Sequence, residues 1–353
     1  MRTIIELQDY VNKLSDEEKE KFDNIYSLDK DVGKLKVGKD MKAWVKKTFG
    51  NVEGVENQEI VRIDNKTTFE SALFNKLRAM RPVDASEKQS TAKVIAESEG
   101  GPFCNPEKKT PEDVFGRVKG KHSTTASNVA KYDSYHGLVV FEKHDPLDFT
   151  SEDIKDHLKT AESWIKKGYE QDSDRKFPFI MWNCLWKSGA SILHGHMQVL
   201  LAKHKHYGEV EKLRHFAEAY EKENGTDYLE DLYEVHESVG LGLKHKDNNI
   251  FVHLTPVKEK EVLIISPTLN NVYEDLYKVL DTYREMGVES FNVGVYMEPL
   301  DAEWKMPIVI RVVDRGSLSS KTVDIGGMEL FAGTTIIASD PYKVFEKLKE
   351  QYG

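Results

Sequence analysis

The chain has 353 residues, more than one hydrophobic core usually supports, so two domains or one large pseudo-symmetric unit are expected. It is 39% hydrophobic and 31% charged, and no apolar run approaches the roughly 20 residues that span a bilayer. The net charge is −10 and no Lys/Arg block stands free of acidic neighbours; this argues against a duplex-binding surface but not against a few local cations around a mononucleotide.

Residues 1–57 are rich in Lys, Glu and Asp and mostly helical in pattern, which suggests a solvated cap or an oligomer contact. The start, MRTIIELQDYVNKLSDEEKEKF, lacks a signal-peptide pattern. Two cysteines, Cys104 and Cys184, form no disulfide framework, so a cytoplasmic location is expected. From Gln58 the texture changes, and QEIVRID alternates like a strand. Residues 84–125 are polar and broken by Gly100-Gly101-Pro102 and Pro111, which predicts a loop with little regular structure.

HGLVVFEK (136–143) is a predicted strand closed by Pro146. Thr150 or Ser151 caps a helix with Ile154, Leu158, Ala161 and Ile165 on its apolar stripe, stopping near Gly168. Strands FPFIMWN (177–183) and HMQVLLA (196–202) follow. The same order returns later. EVLIISP (261–267) is a strand, Val272, Leu276, Val279 and Tyr283 mark a helix stopping at Gly287, and SFNVGVY (290–296) and PIVIRVV (307–313) are two more strands. Repeated order with repeated punctuation predicts a duplicated α+β module, antiparallel sheets packed by helices about a pseudo-two-fold, with units at 58–207 and 208–353 behind the N-terminal extension.

The copies differ at one strand. In the first it opens His194-Gly195-His196-Met197-Gln198; its counterpart in the second reads Ile308-Val309-Ile310-Arg311. Residues two apart on a strand share a face, so His194, His196 and Gln198 line one side. Three polar side chains there are costly to bury unpaired and are expected to face a site. Ser188-Gly189-Ala190-Ser191 just upstream allows close approach of an anion, and its backbone N–H groups suit a phosphate. Asn183 ends the preceding strand and returns to the same place if the two strands pair. A bare His-x-His also suits a solvent-facing pair or a metal clip.

SGASILHGHMQ resembles the active-site signature, His-x-His-x-Gln, of the galactose-1-phosphate uridylyltransferase branch of the histidine-triad superfamily. LFNKLRAMRP (73–82) resembles that family's Arg-x-x-Arg-Pro segment, GPFC (101–104) its Cys-x-x-Cys with the first cysteine lost, and Asn128 the Asn before its Pro-rich turn. His136-Gly137 through His144 resembles the strand that follows, and VDIGGMELF (323–331) a late Val-Gly-x-Glu segment. The resemblance implies tandem histidine-triad modules and a nucleotidyltransferase of carbohydrate metabolism. His196 would be the nucleophile, forming a covalent nucleotidyl-histidine between a nucleotide sugar and a phosphorylated acceptor, a hexose 1-phosphate or phosphate. Gln198 favours transfer over hydrolysis, because an amide donates hydrogen bonds but cannot protonate a leaving group. Arg78, Arg81, Asn128, Asn183, Ser188 and Ser191 are the implied nucleotide and phosphate contacts.

The family's structural zinc would find Cys104, His144 and His194 here, an incomplete set with Gly101 at the fourth position unless His122 or a carboxylate substitutes. No organic cofactor is implied, and a homodimer is the family habit. The family's second-half iron site has no visible counterpart, and Arg311 and Arg315 near it receive no role. Cys184 is expected to pack, and KHKHY (203–207) to be a solvated loop. Phe74-Asn75 and Val129 are candidates for base selectivity, and Glu298 and Glu329 for the acceptor. Two other readings stay open: a dinucleoside polyphosphate phosphorylase or hydrolase, and a nucleotide-binding module whose catalysis has decayed.

Overall fold

The computed structural model describes residues 2–80 and 90–353. Thirteen strands are found among them: β1 (Tyr26–Lys34), β2 (Asn57–Asn65), β3 (Ser71–Phe74), β4 (Ser123–Ser127), β5 (His136–Phe141), β6 (Phe177–Cys184), β7 (His196–Ala202), β8 (Gly242–His245), β9 (Asn248–Val252), β10 (Val262–Ser266), β11 (Phe291–Tyr296), β12 (Ile308–Asp314) and β13 (Thr334–Ile337). The described helices of ten or more residues are α1 (Asp16–Ile25), α2 (Ser151–Gln171), α3 (Gly208–Asn224), α4 (Tyr228–Ser238), α5 (Tyr273–Glu285) and α6 (Pro341–Glu350).

Nine strands form one antiparallel sheet in the order β4-β5-β7-β6-β11-β12-β10-β9-β8. Outward from the centre one side reads β6-β7-β5-β4 and the other β11-β12-β10-β9. Strand, helix, strand, strand thus occurs twice around a pseudo-two-fold between β6 and β11, and α2 packs on α5. The duplicated α+β architecture is the one expected. The halves are not separate bodies, however, because β6 pairs with β11 from Cys184↔Phe291 to Phe179↔Tyr296 and both halves feed one hydrophobic cluster.

Local sequence explains the helices. Thr150 and Asp153 form a capping box at the start of α2, which buries Ile154, Leu158, Ala161 and Ile165 and runs past Gly168 to Gln171. In α5, Leu276, Val279 and Tyr283 are buried, and Gly287 follows with φ 74°.

Four expectations change. Residues 1–57 are not only helical: β1 is an edge strand whose side chains are mostly exposed, so no apolar alternation marks it. It pairs with β2 across the expected boundary at 57, in a four-stranded sheet β1-β2-β3-β13 whose last pair is parallel. Nor is the extension a solvated cap, since Leu7, Val11, Phe22 and Ile25 belong to the main core. The segment expected as loop holds a helix at Thr91–Glu97 and strand β4. In KHKHY, His206 is buried against Phe177 and Trp304 rather than solvated. Cys184 is fully buried, in its expected packing role.

Candidate active site

Across β5, β7 and β6 the register sets Leu138 opposite Gln198 and Gln198 opposite Met181, while Val140 lies opposite His196. Residues directly opposite share a face. Met197 and Val199 belong to the main core shared with α2, so His196 and Gln198 point to the other side. There Phe103, Ala126, Leu138 and Val140 form a small separate cluster, and the Phe103 ring lies edge-on to both His194 and His196. His194, just before the strand, faces the same cluster. Gly195 between the histidines is required by space, because a Cβ there would meet Phe141 Cδ2 at 2.4 Å.

Hydrogen bonds fix the state of each polar group. His196 Nδ1 donates to the His194 carbonyl at 2.9 Å, so the neutral ring carries its lone pair on Nε2, which has no hydrogen-bond partner among the described residues. Burial holds the His196 pKa below the usual imidazole value, so the ring is neutral at pH 7. His136, on β5, accepts the Tyr132 backbone N–H at Nδ1 (3.1 Å), so its proton sits on Nε2 and is donated to Gln198 Oε1 at 2.8 Å. The Gln198 carbonyl end is thereby held from behind, and its amino group is left to donate. Asn128 packs against the same His136 Nε2, at 3.2 Å.

Asn183 is arranged in the same way. Its Oδ1 accepts from Asn292 Nδ2 at 2.6 Å, Asn292 also donates to the Ser188 carbonyl at 3.1 Å, and Arg315 donates to Asn292 Oδ1. The turn before β7 forms as the small residues predict, with Gly189 at φ 96°, a left-handed value that favours glycine. The Ser188 hydroxyl is buried and donates to the Leu185 carbonyl at 2.7 Å, which makes it a brace of the turn, while Ser191 is exposed. Arg78 is exposed and lines a cavity of about 530 Å³ with Lys187 and Arg315, beside this turn. Arg81 lies outside the described residues. Of the selectivity candidates, Phe74 is core, Val129 is exposed, Glu298 bonds Lys305, and Glu329 lines the Arg78 cavity.

Cys104, His144 and His194 converge. Cys104 Sγ is 3.3 Å from His144 Nδ1 and 3.5 Å from His194 Nδ1, and the two Nδ1 atoms are 3.1 Å apart. Ligands of a tetrahedral zinc lie about 3.3–3.6 Å apart, given the usual bond lengths. Each ring uses Nε2 on a backbone carbonyl, His144 on Ile95 (2.8 Å) and His194 on Phe141 (2.8 Å). Two neutral imidazoles held this way aim lone pairs at one another, an unfavourable arrangement that a cation between them relieves. The residues present therefore fit a metal ion. No fourth His, Cys, Asp or Glu joins them among the described residues, and His122 instead pairs with Glu142.

No protein-family profile matches the chain. An uncharacterised protein of Archaeoglobus fulgidus is 26% identical over 268 residues, 70% of this chain and 78% of that protein. Among solved structures the chain is similar to an ADP-glucose phosphorylase from Arabidopsis thaliana with bound ADP-glucose, at TM-score 0.63 and 17% identity over 81% of this chain and 97% of that one. A GalT-like protein from the same plant gives 0.60 and 17%, over 81% and 97%. A uridylyltransferase gives 0.56 and 16%, over 83% and 98%. The chain therefore shares the fold of these uridylyltransferase-like structures.

Within that uridylyltransferase-like fold, three features escape the sequence reading. His136 was visible only as the first residue of a strand, because its partner Gln198 comes from the antiparallel neighbour. Phe103 was hidden in a glycine- and proline-broken segment. Asn292 and Arg315 come from the second half and reach the first only because β11 pairs with β6. No local pattern carries that pairing.

Proposed function

We propose that this chain is a nucleotidyltransferase that carries a nucleoside monophosphate on His196 Nε2, taking it from a nucleotide sugar and passing it to a phosphorylated acceptor. The observation that carries the reading is the fixed tautomer of His196, with Nδ1–H on the His194 carbonyl and the lone pair on Nε2, on one sheet face with Gln198. The Nε2 lone pair attacks the α-phosphorus. A P–N bond forms, the bond from that phosphorus to the bridging oxygen breaks, and the sugar 1-phosphate leaves with the electron pair. An acceptor phosphate oxygen then attacks the same phosphorus, and the P–N electron pair returns to Nε2. The leaving groups are phosphate anions and need no proton, which suits an amide at position 198.

The amino groups of Gln198 and Asn183 would donate to the α-phosphate oxygens, since both carbonyl ends are already held. Arg78 and Arg81, with Lys187 beside the Ser188–Ser191 turn, would meet the remaining phosphates. Asn128 would act through His136, and Ser188 by shaping the turn. Zinc on Cys104, His144 and His194 would be structural, anchoring the His194 whose carbonyl sets the His196 tautomer. The nucleotide sugar is favoured as donor by the likeness to a phosphorylase holding ADP-glucose.

Product analysis tests this. Incubation with ADP-glucose or UDP-galactose and either phosphate or a hexose 1-phosphate is expected to yield sugar 1-phosphate and a nucleotidylated acceptor, with transfer abolished in His196→Gly. Turnover of diadenosine tetraphosphate but of no nucleotide sugar would move the assignment to a dinucleoside polyphosphate phosphorylase. Turnover of neither, with a nucleotide still bound, would support a decayed binding module.

A further inference from the structure

The pseudo-two-fold places a second pocket where the active-site face of the other half would be. One row of the large sheet runs Leu138, Gln198, Met181, Gly294, Arg311, Leu263, each directly opposite the next. Arg311 therefore holds in the second half the place of Gln198 in the first, and Val309 that of His196. Over Arg311 and Val309 lies a cavity of about 500 Å³, closed by the small sheet and by α3 and α4.

Its chemistry differs from that of the first half. Arg311 donates through Nε (2.6 Å) and Nη2 (3.1 Å) to Glu261 and through Nη1 (2.7 Å) to Glu70, so two carboxylates share one guanidinium. The lysine at the walls is paired too, Lys212 with Glu209 at 2.7 Å, and the lining Glu329 is held by Lys258 from outside the cavity at 3.6 Å. A phosphate would enter among carboxylates with no unpaired cation among the described lining residues, so an anionic ligand is disfavoured. Of the five guanidinium N–H donors, three are engaged, leaving two for a ligand. The Glu70 carboxylate is partly exposed beside them and accepts.

The walls supply an apolar platform. Phe69 lies edge-on to Phe216, with ring centroids 5.7 Å apart, and Leu263 and Val309 form the floor. Phe69 is 74% exposed and sits at φ 60°, the left-handed region unfavourable for a residue with a Cβ. An exposed aromatic in a strained backbone at a cavity mouth is the kind of outlier from which a role is inferred.

We propose that the second half binds a neutral, hydroxyl-rich ring, a free hexose or the ribose of a nucleoside, with hydroxyls between Arg311 and Glu70 and an apolar face on Phe69 and Phe216. Calorimetry on the intact chain tests this with galactose, glucose, adenosine and uridine, and with inorganic phosphate and glucose 1-phosphate as charged controls. Binding of a hexose or of a nucleoside, weakened about tenfold in Phe69→Ala and unchanged in His196→Gly, is expected, and it identifies which source supplies the ring. Phe69 is exposed, so its alanine variant is expected to fold. Because the His196→Gly arm separates the two pockets, the outcome does not depend on the transferase reading. The site is overturned if no neutral probe binds at millimolar concentration, if only phosphorylated probes bind, or if binding disappears in His196→Gly and persists in Phe69→Ala.

Discussion

At the scale of single residues, the orientation of Gln198 decides what position 198 can do. His136 takes up its carbonyl oxygen, so the end left for a substrate is a donor. Gln198→Ala is expected to lower kcat for transfer about 10²-fold, the usual loss for one preorganised donor to a developing charge. His136→Leu removes only the brace, and a loss of about tenfold in kcat with KM little changed is expected; a change in KM alone would mean that His136 touches the substrate instead. Gly195→Ala would force a Cβ to within 2.4 Å of Phe141, and a destabilisation of about 1–3 kcal/mol in urea unfolding is expected. His157 gives the pH dependence. It is buried, stacked at 3.7 Å on Phe141, and burial lowers its pKa to about 4. The unfolded state binds the proton near pH 6.5 and the folded state only near 4, so stability is complete above that window and falls as the pH drops through it, by up to about 3 kcal/mol from this residue. Urea midpoints at pH 7 and pH 5 are expected to differ less in His157→Phe than in the parent; equal differences would rule His157 out as a source.

At the scale of elements, the capping box that starts α2 is the plainest local signal. Thr150→Ala removes one of its two reciprocal bonds and is expected to cost about 1 kcal/mol in thermal or urea unfolding, since α2 lies across the first half of the sheet. The strands and helices of the repeat were legible in the sequence because each is buried on a defined face, so period and punctuation survive: HMQVLLA spans the same residues as β7. Strand β1 was not legible because most of its side chains beyond Tyr26 and Leu28 face water, and backbone bonds to β2 define the rest of it. Strand β4 was masked by the glycines and prolines around it. In the candidate site, the side chains of one strand could be read together, because alternation fixes their face. The His136–Gln198 bond and the Asn183–Asn292 bond could not, because each joins strands whose pairing no short segment encodes.

At the scale of the whole molecule, the repeat was readable but its closure was not. The two units merge through β6 and β11 into one sheet, and strands from the first and the last quarter of the chain share the small sheet, where β13 runs parallel to β3. Arg311 joins the two sheets by bonding Glu261 beside β10 and Glu70 just before β3. Burial alone would raise the Glu261 carboxyl, yet the Arg311 charge holds it well below the usual carboxylate range. Arg311→Leu would leave the buried Glu261 carboxylate with only the Val257 N–H and His253 as partners and no permanent cation, and a loss of about 3–5 kcal/mol in urea unfolding is expected, largely recovered when Glu261→Gln is added. Equal stability of the single and double variants would show that the charge pair does not connect the sheets in this way.

The most direct measurement is intact-protein mass spectrometry after mixing the chain with a nucleotide sugar and no acceptor. A mass gain of one nucleotidyl group, a nucleoside monophosphate less water, is expected, acid-labile as a phosphoramidate, mapped to His196, lost on adding phosphate or a hexose 1-phosphate, and absent from His196→Gly. Turnover with no adduct at any time, or an adduct that persists in the glycine variant, would contradict His196 as the carrier.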